Sequence, residues 1–242
     1  MGRDIVCEAI VLSRWPVGET DKRVSLLTLG YGRLLATAKG TRKAGSKMAG
    51  LTEPICHVRL RLIEGKSQWI VAQPQSASAF GNLRFKPDLL PYGLAICDLT
   101  HRALPEAQPS DEAYELCVKA LNGLSVAEAP INVLAWYAWR LTATLGYRPF
   151  IGGCVVCGGA LNGTDAWLDP MHGGSACGRC ADRQSGFRLS KEALAEIEVC
   201  MEADEVPTGL TQASALAPAC RSYLRFFLED ELRVFELLPL NR

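Results

Sequence analysis

Two Cys-x2-Cys pairs constrain this chain more than any other feature. Cys154-Val155-Val156-Cys157 runs into Gly158-Gly159, and Cys177-Gly178-Arg179-Cys180 follows after 19 intervening residues. This is the spacing of a structural zinc site, in which each pair sets two thiolates on one face of a tight turn. Gly158 supplies the backbone freedom that such a knuckle needs after its second ligand. Four thiolates complete a tetrahedral shell and leave no position for water, so the ion holds structure and performs no hydrolysis. Binding of this kind contributes about 10 to 16 kcal/mol, ample to fold an insert at about 150–186 with little core of its own. A redox motif needs one pair on a βαβ pattern, which two glycine-flanked pairs do not match. His172 lies between the pairs without ligand spacing and reads as a loop residue. Cys7, Cys56, Cys97, Cys117, Cys200 and Cys220 have no ligand spacing either and read as small apolar residues with free thiols.

Disulfides are the alternative use of so many cysteines, and they belong to exported chains. The N-terminus places Arg3, Asp4 and Glu8 where a signal peptide carries an apolar run,. No apolar stretch approaches the roughly 18 to 20 residues that span a bilayer. The expectation is a cytoplasmic protein with no membrane association.

Ahead of the cysteines the hydrophobic period changes once. Ile5–Leu12, Val24–Leu29, Leu34–Ala38, His57–Ile63 and Trp69–Ala72 are short aliphatic runs separated by glycine-containing or charged breaks,. In the fourth, Val58, Leu60 and Leu62 alternate with Arg59 and Arg61, which buries one face and leaves two guanidiniums on the other. Five short strands in about 75 residues suit a small barrel, since an open sheet would leave edges to protect. From about Pro87 helical patterns take over: Leu89–Leu104, Asp111–Leu124 and Ile131–Leu145, with prolines at their borders,. Beyond the insert, Ser190 reads as the N-cap of a helix through about Met201, and a last helix covers Ala213–Phe235. The expected fold class is α+β: an N-terminal OB-fold β-barrel over 1–80, then an α-helical domain over 81–242 that carries the four-cysteine zinc-finger insert.

Charge follows the same division. The 26 basic and 26 acidic residues cancel over the whole chain. Residues 1–80 hold 12 bases against 6 acids, and the remainder 14 against 20, so a net of +6 is joined to a net of −6. Such asymmetry points to a polyanion partner for the basic part. Lys39-Gly40-Thr41-Arg42-Lys43-Ala44-Gly45-Ser46-Lys47 concentrates four cations, two glycines and two hydroxyls in nine residues after a β-run. A loop of this composition can offer backbone N–H groups and cations to successive phosphates, as OB folds do along single strands. Read alone it is equally a solvated turn. Tyr31 and Trp69 are the nearest aromatic stacking candidates, with packing as their simpler role. No phosphate-binding lysine loop, nucleophile elbow or His-Glu-x-x-His motif occurs, and three histidines offer no catalytic constellation, so no enzyme is expected,.

The order of these parts resembles a known family. Gly18-Glu19-Thr20-Asp21-Lys22-Arg23-Val24-Ser25-Leu26-Leu27-Thr28, then Gly32-Arg33-Leu34 and Ala38-Lys39-Gly40-Thr41-Arg42-Lys43, look like the N-terminal barrel of the bacterial RecO family of DNA repair proteins. Leu145-Gly146-Tyr147-Arg148-Pro149 before the first knuckle, with Asp169-Pro170 and His172-Gly173-Gly174 before the second, resembles that family's helical domain and zinc insert. The resemblance runs through nearly the whole chain. It implies a non-catalytic recombination mediator that binds single- and double-stranded DNA and anneals complementary strands. The implied partners are RecR, in many bacteria RecF, and the acidic C-terminal tail of single-stranded-DNA-binding protein (SSB), with loading of RecA onto SSB-coated strands as the outcome. By the same resemblance DNA binding falls to Arg33, Lys39, Arg42, Lys43 and Lys47, and one structural zinc to Cys154, Cys157, Cys177 and Cys180. Arg140, beside Trp136, Tyr137 and Trp139, is a candidate for the tail contact or an ordinary helix charge. The competing class is a zinc-stabilised adaptor whose basic barrel binds an acidic protein tail.

Overall fold

The computed structural model describes residues 3–66, 68–78, 80–161, 164–228 and 230–238, so Met1 and Gly2 of the N-terminal reading lie outside the described residues. The chain forms two compact units, Met1–Val126 and Ala127–Arg242.

In the first unit β1 (Asp4–Val17), β2 (Asp21–Thr28), β3 (Gly32–Ala38), β4 (His57–Glu64) and β5 (Trp69–Ser78) close a barrel in the order β1-β2-β3-β5-β4. All neighbours are antiparallel except β3 and β5, which meet in parallel at Ala36–Trp69 and Thr37–Ile70. Closure removes the edges that an open five-stranded sheet would expose. The alternation of β4 is realised as expected: Val58, Leu60 and Leu62 are buried, and Arg59 and Arg61 face out. The three apolar residues meet Val11, Val24, Leu26, Leu34 and Val71 in the barrel core. Strands β1 and β5 run several residues past their apolar runs, because ladder hydrogen bonds continue through polar sequence once the neighbours are in register,.

Two helices share this unit with the barrel, α1 (Leu90–Ala103) and α2 (Asp111–Ser125). The type of secondary structure changes near residue 80, whereas the compact units divide at 126/127. Helix α1 packs on β1 and reaches β2, where His101 Nδ1 lies 2.9 Å from Ser25 Oγ. Gly32, at φ +70°, opens β3 against the connection to α2; a Cβ there would sit 2.0 Å from the Gln108 carbonyl oxygen, so no side chain fits. Ser110 caps α2 by accepting from the Ala113 N–H,.

The second unit is built on α3 (Pro130–Thr144), packed by α4 (Lys191–Glu202) and α5 (Ala213–Leu228). Trp136, Tyr137 and Trp139 are fully buried on α3. Both indoles donate to backbone carbonyls, Trp136 to Ala203 at 3.0 Å and Trp139 to Leu216 at 3.0 Å, which satisfies their polar edge inside the core,. The Ser190 cap of α4 is formed, its hydroxyl accepting from Ala193 N–H at 3.1 Å. The last helix is shorter than its sequence suggests. It ends at Leu228, and a separate 3-10 turn covers Arg233–Leu237. Asp230 accepts the Leu232 N–H at 2.8 Å and Leu232 takes φ 45°, so a local side-chain bond replaces helix continuation,. Among the described residues no helix is long and apolar enough to cross a membrane.

Candidate nucleic-acid interface and metal centre

The four knuckle cysteines come together. Their sulfur atoms all lie within 4.8 Å of one another. Tetrahedral thiolate coordination at about 2.3 Å places sulfurs about 3.8 Å apart, so the group can hold a metal ion. In the first knuckle Gly158, at φ +71°, returns its N–H to Cys154 O at 2.9 Å, and Cys154 N–H reaches Gly159 O at 2.8 Å. In the second, Cys180 and Ala181 N–H both donate to Cys177 O. Burial alone would raise the Cys154 thiol, but backbone N–H groups of Cys177, Cys157 and Val156 aimed at its sulfur bring it down to about 6. Such donors favour the thiolate that binds metal.

A small sheet carries the knuckles, with β6 (Ala166–Asp169) between β7 (Gly174–Ala176) and β8 (Phe187–Leu189). Sequence reasoning missed it, because three-residue strands carry no readable period. Its signal was the small-residue run Gly174-Ser175-Ala176 immediately before Cys177. A Cβ on Gly174 would lie 2.3 Å from Phe150 O, and Ser175 Oγ donates toward the Ile151 and Gly153 carbonyls at 3.2 and 3.0 Å. This packing holds the approach to the first knuckle against the strand that leads into the second. His172 sits in the β6–β7 turn with Nδ1 2.9 Å from the buried Asp169 carboxylate, outside the cysteine group.

The basic loop joins β3 to the rest of the barrel and is folded on itself. Successive turns close Lys43 N–H on Gly40 O and Ser46 N–H on Lys43 O, each at 3.2 Å. Gly40 and Gly45 take the positive φ that these turns require,. Asp21, at the start of β2, anchors the base of the loop by accepting Gly40 N–H at 2.8 Å and the Thr20 hydroxyl at 2.9 Å. Those two bonds, with the nearby charges of Lys39 and Lys43, hold its carboxyl below the usual range. Arg42 N–H binds Thr20 O and its guanidinium binds Gly18 O at 3.0 Å, tying the loop to the β1–β2 turn. Glu53 clamps the opposite side through Lys22 at 2.5 Å and Arg14 at 2.9 Å. The result is an ordered loop on which Lys39, Arg42, Lys43 and Lys47 are all exposed. Among the described residues the three lysines form no ion pair.

Two family models match the chain in succession: Recombination protein O N terminal over residues 1–71 and Recombination protein O C terminal over residues 84–236. The chain belongs to the RecO family. A protein named DNA repair protein RecO from Dehalococcoides mccartyi is 28% identical over 233 residues, covering 94% of this chain and 92% of its own. One of the same name from Roseiflexus is 30% identical over 240 residues, covering 96% and 83%. A third, from Nocardioides, is 34% identical over 177 residues, 72% of each chain.

Within this RecO family chain the remaining candidates separate. Arg33 is half-buried and its Nε donates to Leu104 O at 2.7 Å, so it also ties β3 to the end of α1. Burial lowers its basicity, with Glu106 opposing. Arg140 is half-buried and tied in place: it donates to Met201 O at 2.6 Å and to the exposed Asp204 at 3.1 Å, closing the C-terminal end of α4 onto α3. Arg61 pairs with Asp4 across β1 and β4. Tyr31 is exposed, whereas Trp69 packs in part against the barrel core. Asp21 and Glu53 escaped sequence reasoning as positioning residues, although Asp21 lies inside the Gly18–Thr28 motif.

Proposed function

We propose that this RecO family protein is a recombination mediator whose barrel, residues 1–80, binds the phosphates of single- and double-stranded DNA. The observation that carries the reading is the ordered loop with Lys39, Arg42, Lys43 and Lys47 exposed on a closed barrel. Arg33 contributes at the margin, through whichever part of its guanidinium is not spent on Leu104. Cations held on a folded loop lose little entropy when they meet phosphates, and each contact releases a counterion. A surface that neutralises two strands at once reduces their repulsion and raises their local concentration, so base pairing supplies the free energy of annealing and no covalent step is needed.

The helical part, from residue 81, is the site of protein contacts in this reading: RecR, RecF where present, and the SSB tail, leading to RecA loading. The ion in the cysteine cluster is a structural Zn2+, because four thiolates in a closed tetrahedral set match zinc and leave no open position. Nine-tenths of the curated relative from Dehalococcoides is covered by this chain, and its name places that protein in DNA repair.

Strand annealing tests the reading. Two complementary labelled oligonucleotides mixed with the purified protein, without ATP or added metal, should pair faster than they do alone. A protein that binds an acidic peptide but neither binds nor pairs the oligonucleotides would establish the adaptor class instead.

A further inference from the structure

A polar cavity of about 600 Å³ opens beside the barrel, lined by Arg23, Leu35, Trp69, Gln68, Glu64 and Glu106, with Gly65 and Lys66 at the turn. It is bounded by β2, β3, the β4–β5 turn and the α1–α2 connection, all within the first compact unit. Its volume falls in the range of small-ligand sites, roughly 300 to 1,000 Å³.

Three features say what could enter. First, Arg23 lies in the cavity lining, and only the part of its guanidinium away from the fully buried Nε can face a ligand. The other end of the same guanidinium is fixed by Gln68 Oε1, so its direction is set. Second, Trp69 gives the cavity an aromatic wall. Third, two carboxylates share the lining with the cations. Glu64 is already engaged by the Arg3 backbone N–H at 2.7 Å, and Glu106 is exposed beside Arg33. A phosphate would be repelled by that pair. A group with both acceptors and N–H donors on a flat ring would not be.

We infer that the cavity is a subsite for one unpaired nucleobase, stacked on Trp69, accepting from Arg23 and donating to Glu106. Guanine matches best: its O6 and N7 suit an arginine, and its N1–H and N2–H2 edge suits a carboxylate. In a duplex that second edge is committed to cytosine, so the subsite selects single strands. The inference rests on the proposed DNA binding by the same barrel and names what the phosphate loop does not supply, a reason to prefer an unpaired strand.

Equilibrium binding of the full, metal-loaded chain to fifteen-residue oligonucleotides tests it. In wild type, dT strands carrying scattered guanines should bind more tightly than all-dT strands, and strands carrying abasic positions more weakly than both. Trp69→Leu and Glu106→Gln should each erase most of the guanine advantage. The preference for single over double strands should fall at least about fivefold in Trp69→Leu, the lower bound expected of one stacked base. Quenching of tryptophan fluorescence on binding the guanine-containing strand, lost in Trp69→Leu, would place the base on that ring. Because Trp69 also touches the core, Glu106→Gln on its exposed loop and the wild-type base series stand independently of its stability. Equal wild-type affinity for guanine-containing, all-dT and abasic strands overturns the subsite while leaving phosphate binding intact. Failure of wild type to bind any strand overturns the DNA-binding reading, and this inference with it.

Discussion

Among single residues, His57 joins more of the first unit than its sequence context announced. It sits at the start of β4 with Nδ1 2.9 Å from Ser78 Oγ and Nε2 2.9 Å from Tyr114 Oη, and it stacks on Phe80. One imidazole thus links two barrel strands to α2. Burial depresses its basicity despite Glu8 at 3.6 Å, and burial also pushes the Tyr114 phenol well above its ordinary range, so both partners are held neutral. A histidine whose folded-state pKa is below its unfolded value of about 6.5 contributes fully above that pH and loses its contribution as pH falls through the folded value. Thermal unfolding followed from pH 8 to 5 should therefore show a decline beginning near pH 6.5, and His57→Gln should lack that component. A wild-type melting temperature flat through this window would show that His57 is not held neutral. Arg140 makes the same point in the second unit. Its guanidinium satisfies a helix-terminal carbonyl that otherwise has no intrahelical partner, so Arg140→Ala should cost about 1 to 3 kcal/mol in chemical denaturation.

At the scale of elements, legibility tracked periodicity. Strand β4 could be read residue by residue because its alternation is strict, and the ends of α1, α2, α3 and α4 fall within two residues of their apolar patterns. The sheet β6–β8 and the break after Leu228 could not be read, since each is decided by a contact distant in sequence or by one side-chain bond to a backbone N–H. The cysteine spacing named the four residues that can hold a metal ion, but the reason the knuckles meet lies in Gly174 and Ser175, which only the packing reveals. Cys154→Ser or Cys177→Ser should reduce bound metal from one equivalent per chain to a small fraction, measured by elemental analysis after dialysis. Chelation of the wild type should expose the insert to protease while α3 and its buried tryptophans stay protected. Metal content near one equivalent in both serine variants would remove the four-cysteine assignment.

For the molecule as a whole, the cancelled charge conceals its organisation. A basic barrel and an acidic remainder, +6 and −6, share one chain. The barrel's excess is not uniformly available, since Arg14, Lys22 and Arg61 are spent on Glu53 and Asp4. What is left over concentrates on the loop that Asp21 anchors, so position and pairing, rather than net charge, set where the proposed polyanion site lies. In the proposed function the acidic remainder would limit indiscriminate coating of DNA and leave its surface to protein partners. Asp21→Asn should preserve the fold yet weaken DNA binding severalfold by loosening the loop's base, a loss measurable at fixed salt. Whether this loop meets phosphates is read directly by the salt dependence of single-strand affinity. With about four to five contacts the slope of log affinity against log salt should lie near −3, and Lys39→Ala, Arg42→Ala and Lys43→Ala combined should flatten it by about two, at roughly −0.7 per contact. An unchanged affinity and slope in that folded triple variant would show that the loop does not meet phosphates.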